Sequence, residues 1–471
     1  MKNFKDINVL LIVIGVIAAP AGANAASLLE VYQQALQSDP QIHEAEARRL
    51  AALEAKPQAR GVLMPQITAG GSWEKFESDG SSFSLGLNRT VDVTQSTDRA
   101  GWNAQLTQTL FRWDQIVNLR RADKVVTRAE ALREAAQQDL IIRVAQRYFN
   151  VLAAEDRLTS IHADRTAIAR QLEQAKQRFE VGLIAITDVQ ESQAAYDQSV
   201  ASEIGAKREL ATARNLLREI TGEYTRNLSA PKEDFPLILP EQSERDWVDM
   251  SLSQNLTLVA SRLDEKLARD EISFQKTGHY PTFDLVASTS TQVNDGTGTN
   301  DGADSIIDSD FDSDSISLQF SIPIFSGGGT SSRVREAVYL HRASREQLQR
   351  ITRETERQSR DAYLGVLAEQ SRVQALKQAV ASSQTALEAT QAGFEVGTRT
   401  IVDVLNSQFR LYVAITNYYG SRYEYILNVL RLKQAAGTLQ VQDLELIDQH
   451  LTDRKPPEEV IAEEEAKASG T

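Results

Sequence analysis

The 471-residue chain contains no cysteine and carries a formal net charge of −14, with 25% charged and 41% hydrophobic residues. The lack of cysteine excludes disulfide scaffolds, thiolate metal sites, iron–sulfur clusters and cysteine nucleophiles. The chain has only five histidines, which are scattered, and its negative charge disfavours binding to nucleic-acid phosphates. We therefore expect no metal, no cofactor and no nucleic-acid partner.

The first 25 residues have the pattern of a secretory signal peptide. Lys2 and Lys5 precede an apolar run at 9–19, and the small residues Ala23-Asn24-Ala25 follow it. The alternative, an N-terminal membrane anchor, needs roughly 20 apolar residues and is disfavoured by the shorter run. We predict cleavage before Ala26. Cleavage removes two lysines and one aspartate, which changes the net charge from −14 to −15.

The remaining chain is one unit that occurs twice. Phe179-Glu180-Val181-Gly182 recurs 215 residues later as Phe394-Glu395-Val396-Gly397, and Asp188-Val189 recurs at the same displacement as Asp403-Val404. Such a constant displacement indicates internal tandem duplication. We predict repeat 1 over residues 26–222 and repeat 2 over 247–437. A linker at 223–246 joins them, and the last segment, 438–471, ends in an acidic tail that we expect to be disordered.

Each repeat contains two segments with strand-like alternation. In the clearest segment, Ile316, Leu318 and Phe320 alternate with serine and glutamine, as in a tilted membrane strand with lipid on one face and water on the other. We predict strands at about 66–77, 102–111, 282–292 and 315–325, with solvated outer loops at 77–101 and 294–314. A soluble sheet is the alternative, and four strands embedded in helical sequence fit it poorly.

Very long helices follow the strands. Residues 113–181 contain neither glycine nor proline, and such a stretch would be roughly 100 Å long as a helix. Gly182 and Gly397 have the position of glycines that end a helix. Thr187-x-x-Gln190 and Thr400-x-x-Asp403 then have the spacing of capping boxes that begin the next one. Each repeat is thus predicted to contain an opening helix (Leu28–Arg60 in repeat 1), two strands, a long helix, a turn and a returning helix.

The turns resemble the paired turn motifs of the TolC family of outer-membrane channel-tunnels. The matching residues run from Gly182 to Gln190 and from Val396 to Leu405, and the overall plan agrees over residues 26–450. The resemblance implies a mostly α-helical protein with a membrane β part. It implies a homotrimer with one shared twelve-stranded β-barrel, continuous with a long coiled-coil α-helical barrel. It also places residues 223–246 and the start of 438–471 in an equatorial region.

The resemblance further implies a location and partners. We expect an outer-membrane protein with a periplasmic tunnel, in contact with outer-membrane lipid, in a Gram-negative bacterium. Its partners would be a periplasmic adaptor (membrane fusion) protein and an inner-membrane transporter of ABC, RND or MFS type. It would be a passive duct for drugs, toxins or secreted proteins. The alternative is a periplasmic coiled-coil adaptor or scaffold without a channel, which leaves the strands unexplained. An enzyme is disfavoured because the sequence has no catalytic motif.

In the family, links between the paired turns hold the periplasmic end shut. The motif match assigns these links to Thr187, Asp188 and Arg399, with the guanidinium as donor. Phe394 stands where the family's latch has a tyrosine. Without the hydroxyl, one hydrogen bond worth about 1 kcal/mol is absent, so we expect a weaker latch. The alternative is that Asp188 only stabilises a helix dipole and that Arg399 is a solvated charge.

The resemblance also implies a ring of acidic residues at the tunnel entrance. Asp403 would occur three times around the axis, and such a ring favours cations. Family members often carry a second aspartate one turn further on, where this chain has Asn406. We therefore expect one charged ring and one neutral ring, with weaker block by multivalent cations.

Overall fold

The computed structural model describes residues 25–86, 88–225, 227–300 and 303–469. Apart from Ala25, the predicted signal peptide lies outside these residues. The chain divides into two compact units. The first takes in residues up to Pro40, Gln138–Trp247 and the residues from Arg360 onward, and the second takes in Gln41–Gln137 and Val248–Ser359. Within the described residues, no helix combines the length and the apolar character that a bilayer span requires.

The two repeats have the same order of elements. Repeat 1 contains α1 (Leu28–Ser38), α2 (Pro40–Leu53), α3 (Ala55–Gly61), β1 (Gln66–Ser84), β2 (Arg89–Phe111), α4 (Trp113–Glu180) and α5 (Ile186–Thr221). The linker contributes β3 (Ala230–Pro231). Repeat 2 contains α6 (Glu244–Gln254), α7 (Leu256–Lys276), a 3-10 turn (Thr277–His279), β4 (Thr282–Asn300), β5 (Ala303–Ser321), α8 (Gly329–Glu395) and α9 (Ile401–Ala435). The last elements are α10 (Val441–Asp448), β6 (Leu451–Thr452) and α11 (Pro457–Ser469).

The opening segment of repeat 1 is three helices, and the prediction of one continuous helix is wrong. Asp39 is the C-cap of α1 and has an extended backbone, with φ −69° and ψ 118°. The ring of a proline disfavours the helical conformation at the residue before it, so Pro40 forces this break. Pro40 itself suits the first turn of α2, because it has no N–H that would need an acceptor there.

The four long strands form one antiparallel sheet in the order β1-β2-β4-β5. The strands have 19, 23, 19 and 19 residues, so most of the residues predicted as loops at 77–101 and 294–314 are paired strand residues. These stretches are rich in Asp, Ser, Thr and Gly and lack apolar alternation, yet continuous backbone pairing holds them, as between Ser78 and Gln95. β5 ends at Ser321 rather than at 325 as predicted.

The two faces of the sheet differ in polarity, as the alternation predicts. The strand pairing places four apolar residues side by side in one row: Ile67, Leu106, Ala287 and Ile316. The next row along the strands, on the other face, is polar and uncharged: Thr68, Gln105, Ser288 and Ser315. The apolar row is exposed at its ends, with Ile67 73% and Ile316 81% accessible. One face therefore presents apolar side chains that the chain itself does not cover.

Each long helix ends in a glycine turn that leads into the returning helix. Gly182 and Gly397 have φ of 75° and 77°, in the left-handed region that glycine adopts without a steric penalty. The Thr400–Asp403 capping box is present at the start of α9. The capping box predicted at Thr187 is wrong, because α5 begins at Ile186 and its N-cap is Ala185, two residues before Thr187, with no side-chain cap bond.

Both repeats bury the same apolar seam beside these turns. In repeat 1, Leu172 and Val189 belong to one buried cluster. Their counterparts 215 positions later, Leu387 and Val404, belong to another. The duplication is thus a repetition of packing as well as of sequence.

The end of the chain is ordered by contacts with repeat 1, so the prediction of a disordered tail is wrong for α11. Arg214 of α5 forms an ion pair with Glu458 in the first turn of α11, and a second one with Glu155 of α4 at 2.9 Å. Arg454, just before α11, pairs with Asp156 of α4. Ile461 is buried. Acidic composition predicted disorder, but ion pairs with Arg214 of α5 and Asp156 of α4 hold this segment in place.

We expect Glu155 to make stability depend on pH. Burial raises the pKa of Glu155 to about 7, against the opposing effect of Arg214. A carboxyl group whose pKa is higher in the folded chain favours folding most below its unfolded pKa of 4.5, and this contribution is lost as the pH rises towards 7. The Glu155→Gln variant should remove this loss of stability between pH 5 and pH 8.

The measurement is the thermal unfolding midpoint of the helical circular-dichroism signal at the two pH values. The matched control is Glu209→Gln, which should behave as wild type. Glu209 is an exposed residue of α5 that pairs with Arg157 of α4. An unchanged pH dependence in Glu155→Gln would contradict the assignment.

Candidate functional site at the coiled-coil turns

The two turns have nearly the same backbone geometry. In repeat 1, the N–H groups of Gly182 and Leu183 donate to the carbonyl oxygens of Phe179 and Arg178 at 2.9 and 2.8 Å. In repeat 2, Gly397 and Thr398 donate to Phe394 and Gly393 at 3.1 and 2.8 Å. This pairing satisfies carbonyl groups that a helix end leaves without an intrahelical partner. The turns therefore place the predicted latch residues on two equivalent supports.

Arg399 lies against the end of α8 because residue 393 has no side chain. A Cβ atom at Gly393 would lie 2.8 Å from Cγ of Arg399, which is closer than carbon atoms approach. The carbonyl oxygen of Gly393 also accepts from the N–H groups of Thr398 and Arg399, the latter at 3.2 Å. Arg399 is an exposed residue. Gly393 thus helps to position the base of the Arg399 side chain. Sequence analysis did not identify Gly393.

Thr187 and Asp188 lie in the first turn of α5. Thr187 is exposed and Asp188 is partly exposed, and the Ser192 hydroxyl donates to the backbone oxygen of Asp188 at 2.8 Å. In the described part of this single chain, Arg399 forms no hydrogen bond or ion pair with either residue. The structure therefore does not bring together the three residues to which sequence analysis assigned the links, and their assignment stays a prediction.

Phe394 is joined instead to the other repeat of the same chain. The guanidinium carbon of Arg178, in the last turn of α4, lies 4.9 Å from the centre of the Phe394 ring. Phe394 also packs against the buried seam of repeat 2. A cation over an aromatic face contributes about 0.5–1 kcal/mol at exposed sites. Sequence analysis did not predict a role for Arg178. A comparison of the two repeats could have identified it, since the equivalent residue in repeat 2 is Gly393.

Asp403 has a structural role in its own chain. Its Oδ2 accepts hydrogen bonds from the backbone N–H and the hydroxyl of Thr400, both at 2.9 Å. These hydrogen bonds, the backbone one first, lower the pKa of Asp403, and the charge of Arg399 adds to the effect. The carboxylate is therefore ionised at neutral pH. Asn406 is exposed on the next turn and adds no charge.

A buried glutamine joins the two repeats above the turns. Gln408 of α9 is only 2% exposed. Its Nε2 donates to Oδ1 of Asp164 at 2.7 Å and to the backbone oxygen of Asp164 at 3.2 Å. Its Oε1 accepts from Nε2 of Gln171 at 2.8 Å. We call Asp164, Gln171 and Gln408 the inter-repeat clamp. Sequence analysis missed it because each residue alone has the appearance of a solvated helix position.

The described residues contain no group of His, Asp or Glu side chains that could hold a metal ion. The chemistry of this region is therefore that of hydrogen bonds, fixed charges and apolar seams. Such an arrangement can hold helices together and can present charge to a passing solute.

Sequence comparison establishes the family. The family described as "Outer membrane efflux protein" matches residues 31–223 and again residues 247–438, so the chain belongs to this family. The outer membrane protein TolC of Vibrio cholerae is 38% identical over 423 residues, which are 89% of this chain and 92% of that protein. The alkaline protease secretion protein AprF of Pseudomonas aeruginosa is 27% identical over 442 residues, covering 92% and 89% of the two chains.

Solved structures agree on the fold. The outer membrane protein VceC of Vibrio cholerae superimposes with a TM-score of 0.68 at 19% identity, covering 87% of this chain and 96% of that one. CusC gives a TM-score of 0.70 at 18% identity. The protein is therefore an outer-membrane channel protein of the efflux family rather than an enzyme.

We expect removal of the Gln408 amide to loosen the inter-repeat clamp. Burial raises the pKa of Asp164, and the hydrogen bond from Gln408 opposes that rise. The Gln408→Leu variant leaves a buried carboxylate without its donor, which costs about 1–3 kcal/mol. The expected result is a lower thermal midpoint and faster amide exchange in α9 around residues 404–412.

The control is Asn406→Leu, which changes an exposed amide on the same helix and should leave both measurements unchanged. If the Gln408→Leu and wild-type proteins exchange at equal rates, the clamp does not stabilise this region.

Proposed function

We propose that the protein is the exit duct of an export machine that carries solutes from an inner-membrane pump across the periplasm and the outer membrane. One observation carries the proposal. The same chain combines a sheet with one apolar and one polar face, the pattern of a lipid-facing, water-lined wall, with two coiled-coil turns at equivalent positions in its repeats. The family membership supports it. AprF is named for protease secretion, which supports secreted proteins as one class of cargo beside small molecules.

We infer a homotrimer from the sheet. Four strands cannot close a barrel, since even small single-chain barrels use about eight. In hydrocarbon, each unpaired backbone group costs several kcal/mol. Three chains would supply twelve strands and would pair the outer edges of β1 and β5 with those of neighbouring chains. The apolar row that begins at Ile67 would then face outer-membrane lipid.

We infer that the turns form the periplasmic gate. Arg399 is exposed and is fixed at its base by Gly393, so its guanidinium is free to reach Thr187 and Asp188 of a neighbouring chain. A guanidinium donates two directed hydrogen bonds, which a lysine cannot copy. Phe394 has no hydroxyl and contacts Arg178 within its own chain instead. A periplasmic adaptor and a transporter of ABC, RND or MFS type would release this latch.

A coiled-coil adaptor or scaffold without a channel is the alternative function. It fits the long helices α4 and α8. It gives no role to the row of apolar residues on the sheet, where Ile316 is 81% exposed. Exposed apolar rows of this kind mark a membrane or protein contact, and their regular alternation with polar rows favours lipid.

The test of the duct and its latch is conductance. In planar bilayers the purified protein should form pores that are closed most of the time. Arg399→Ala removes the donor of the links and should raise the open probability several-fold. Phe394→Tyr restores a hydroxyl worth about 1 kcal/mol per link and should lower it.

Arg372→Ala is the matched control, because Arg372 is an exposed α8 arginine whose partner, Glu369, lies on the same helix. Its conductance should equal that of wild type. A protein that gives no pores and fractionates as a soluble periplasmic monomer contradicts the duct. Pores that Arg399→Ala leaves unchanged contradict only the latch.

The entrance ring is tested by ion selectivity. Asp403 is ionised at neutral pH, so three copies would place three negative charges at the entrance and favour cations. The Asp403→Asn variant keeps an oxygen for the Thr400 cap but loses the charge. Its reversal potential under a KCl gradient should shift toward zero, which indicates a loss of cation selectivity. Block by a trivalent cation should also weaken. Asn406→Asp should strengthen that block. Unchanged selectivity in Asp403→Asn would remove Asp403 from the pore lining.

A further inference from the structure

The residue at which the signal peptide is predicted to be cut is built into the fold. The N–H of Ala26 donates to the carbonyl oxygen of Asn227 at 2.9 Å, and its own carbonyl accepts from the N–H of Ser229 at 3.1 Å. Ala26 forms a parallel bridge with Leu228. The Tyr148 hydroxyl, in the buried core, donates to the carbonyl oxygen of Ser229 at 2.6 Å and lies 3.1 Å from the Ala26 carbonyl oxygen. The backbone around Ala26 is therefore fixed on both sides.

Two carboxylates lie beside this segment. Oδ1 of Asp453 accepts from the Ser229 hydroxyl at 3.2 Å, and that hydroxyl lies 3.3 Å from the carbonyl oxygen of Ala25. Oδ1 of Asp448 accepts from the N–H of Leu28 at 3.0 Å. Within the described part of the chain, neither Asp448 nor Asp453 forms an ion pair with a lysine, arginine or histidine.

Among the residues that the structure describes, the other titratable groups next to Ala26 add no positive charge. On α1, the Glu30 carboxylate accepts from the N–H of Ser27 at 3.0 Å. On α4, the nearest group is the Tyr148 hydroxyl, and burial raises its pKa well above the ordinary value, so it stays neutral. α10 contributes Asp448, and the segment after β6 contributes Asp453. The start of the mature chain thus lies among three carboxylates.

We propose that signal-peptide removal supplies the missing cation. Hydrolysis of the Ala25–Ala26 bond adds water, leaves a carboxylate on Ala25 and leaves an amine on Ala26 that takes up a proton. The structure assigns Asn227 as the carbonyl acceptor and Asp453 as the counter-ion of this α-ammonium group. Processing therefore locks the N-terminus onto the segment between repeats and the segment after α10. This inference rests on the predicted cleavage site and is independent of the proposed duct.

The same geometry gives an order of events. Ala25 is only 8% exposed, and its carbonyl oxygen lies 3.3 Å from the Ser229 hydroxyl. A peptidase needs the scissile bond extended and accessible, so cleavage must precede the docking of this segment. After cleavage, the Ser229 hydroxyl loses the Ala25 carbonyl and keeps Asp453. The carboxylate is then left in place for the new ammonium group.

The first measurement is the intact mass of the protein purified from membranes, with N-terminal sequencing. Ala26 is the expected first residue, and any other start overturns the proposal.

The second measurement is the rate at which cyanate carbamylates the α-amine of the folded mature protein at pH 7. Cyanate reacts with the unprotonated amine, and one unit of pKa changes the unprotonated fraction about tenfold. Asp453→Asn should therefore react roughly tenfold faster than wild type, and Asp453→Glu should restore slow reaction. The control Asp234→Asn changes an exposed linker carboxylate and should match wild type. Equal rates in folded wild type and Asp453→Asn overturn the proposal.

The third measurement is the thermal midpoint between pH 7 and pH 9.5. The ordinary pKa of an α-amine is about 7.7–8.0, and a carboxylate partner raises it in the folded chain. The stabilisation is then complete below that range and is lost as the pH rises through the folded value. A variant with one glycine inserted between Ala25 and Ala26 moves the charge by about 3.5 Å. It should lose this pH dependence even if Asp453→Asn fails to fold, and a wild-type profile in the insertion variant overturns the proposal.

Discussion

The unpaired backbone at the edges of the β1-β2-β4-β5 sheet is the constraint on which the rest of the structure depends. Within the described chain, β1 and β5 each pair on one side only, and in the proposed lipid environment water could not serve as the partner for their outer N–H and C=O groups. The proposed trimer would meet this demand by pairing these edges with those of neighbouring chains. Duplication follows naturally, since one repeat supplies only two of the four strands.

The two repeats share their packing but have diverged where they meet. Both bury the same seam, yet residue 178 is arginine and its counterpart, residue 393, is glycine. The arginine reaches the Phe394 ring in repeat 2. The glycine makes room for the side chain of Arg399. The equivalent position in repeat 1 has no arginine. A symmetric pair of turns would present the same group twice. In the proposed latch, this divergence would give one turn a donor and leave the acceptors on the other.

The sequence predicted the features that rest on local periodicity or on special backbone conformations. These are the apolar alternation around Leu318, the left-handed glycines and the Thr400 capping box. It failed where partners distant in the chain decide. Strand pairing, which the side chains of 294–314 do not encode, turned predicted loops into strands. Arg214 ordered an acidic tail, and the buried environment of Gln408 depends on α4, more than 230 residues earlier.

The kinds of contact along the chain determine which movements of the proposed gate cost least. Exchanging a hydrogen bond such as that of Gln408 for one to water has a net cost of about 1 kcal/mol, whereas exposing a large apolar side chain costs about 1.5–3 kcal/mol. The inter-repeat clamp belongs to the first kind, whereas the seams beside the turns, Leu172 with Val189 and Leu387 with Val404, belong to the second. The segment around Tyr148 and Leu28 belongs to the second, with both side chains fully buried. Helix movement in the proposed gate is therefore least costly where it exchanges the hydrogen bonds of the clamp with water and leaves the apolar seams packed, and it is costly where the N-terminus is anchored.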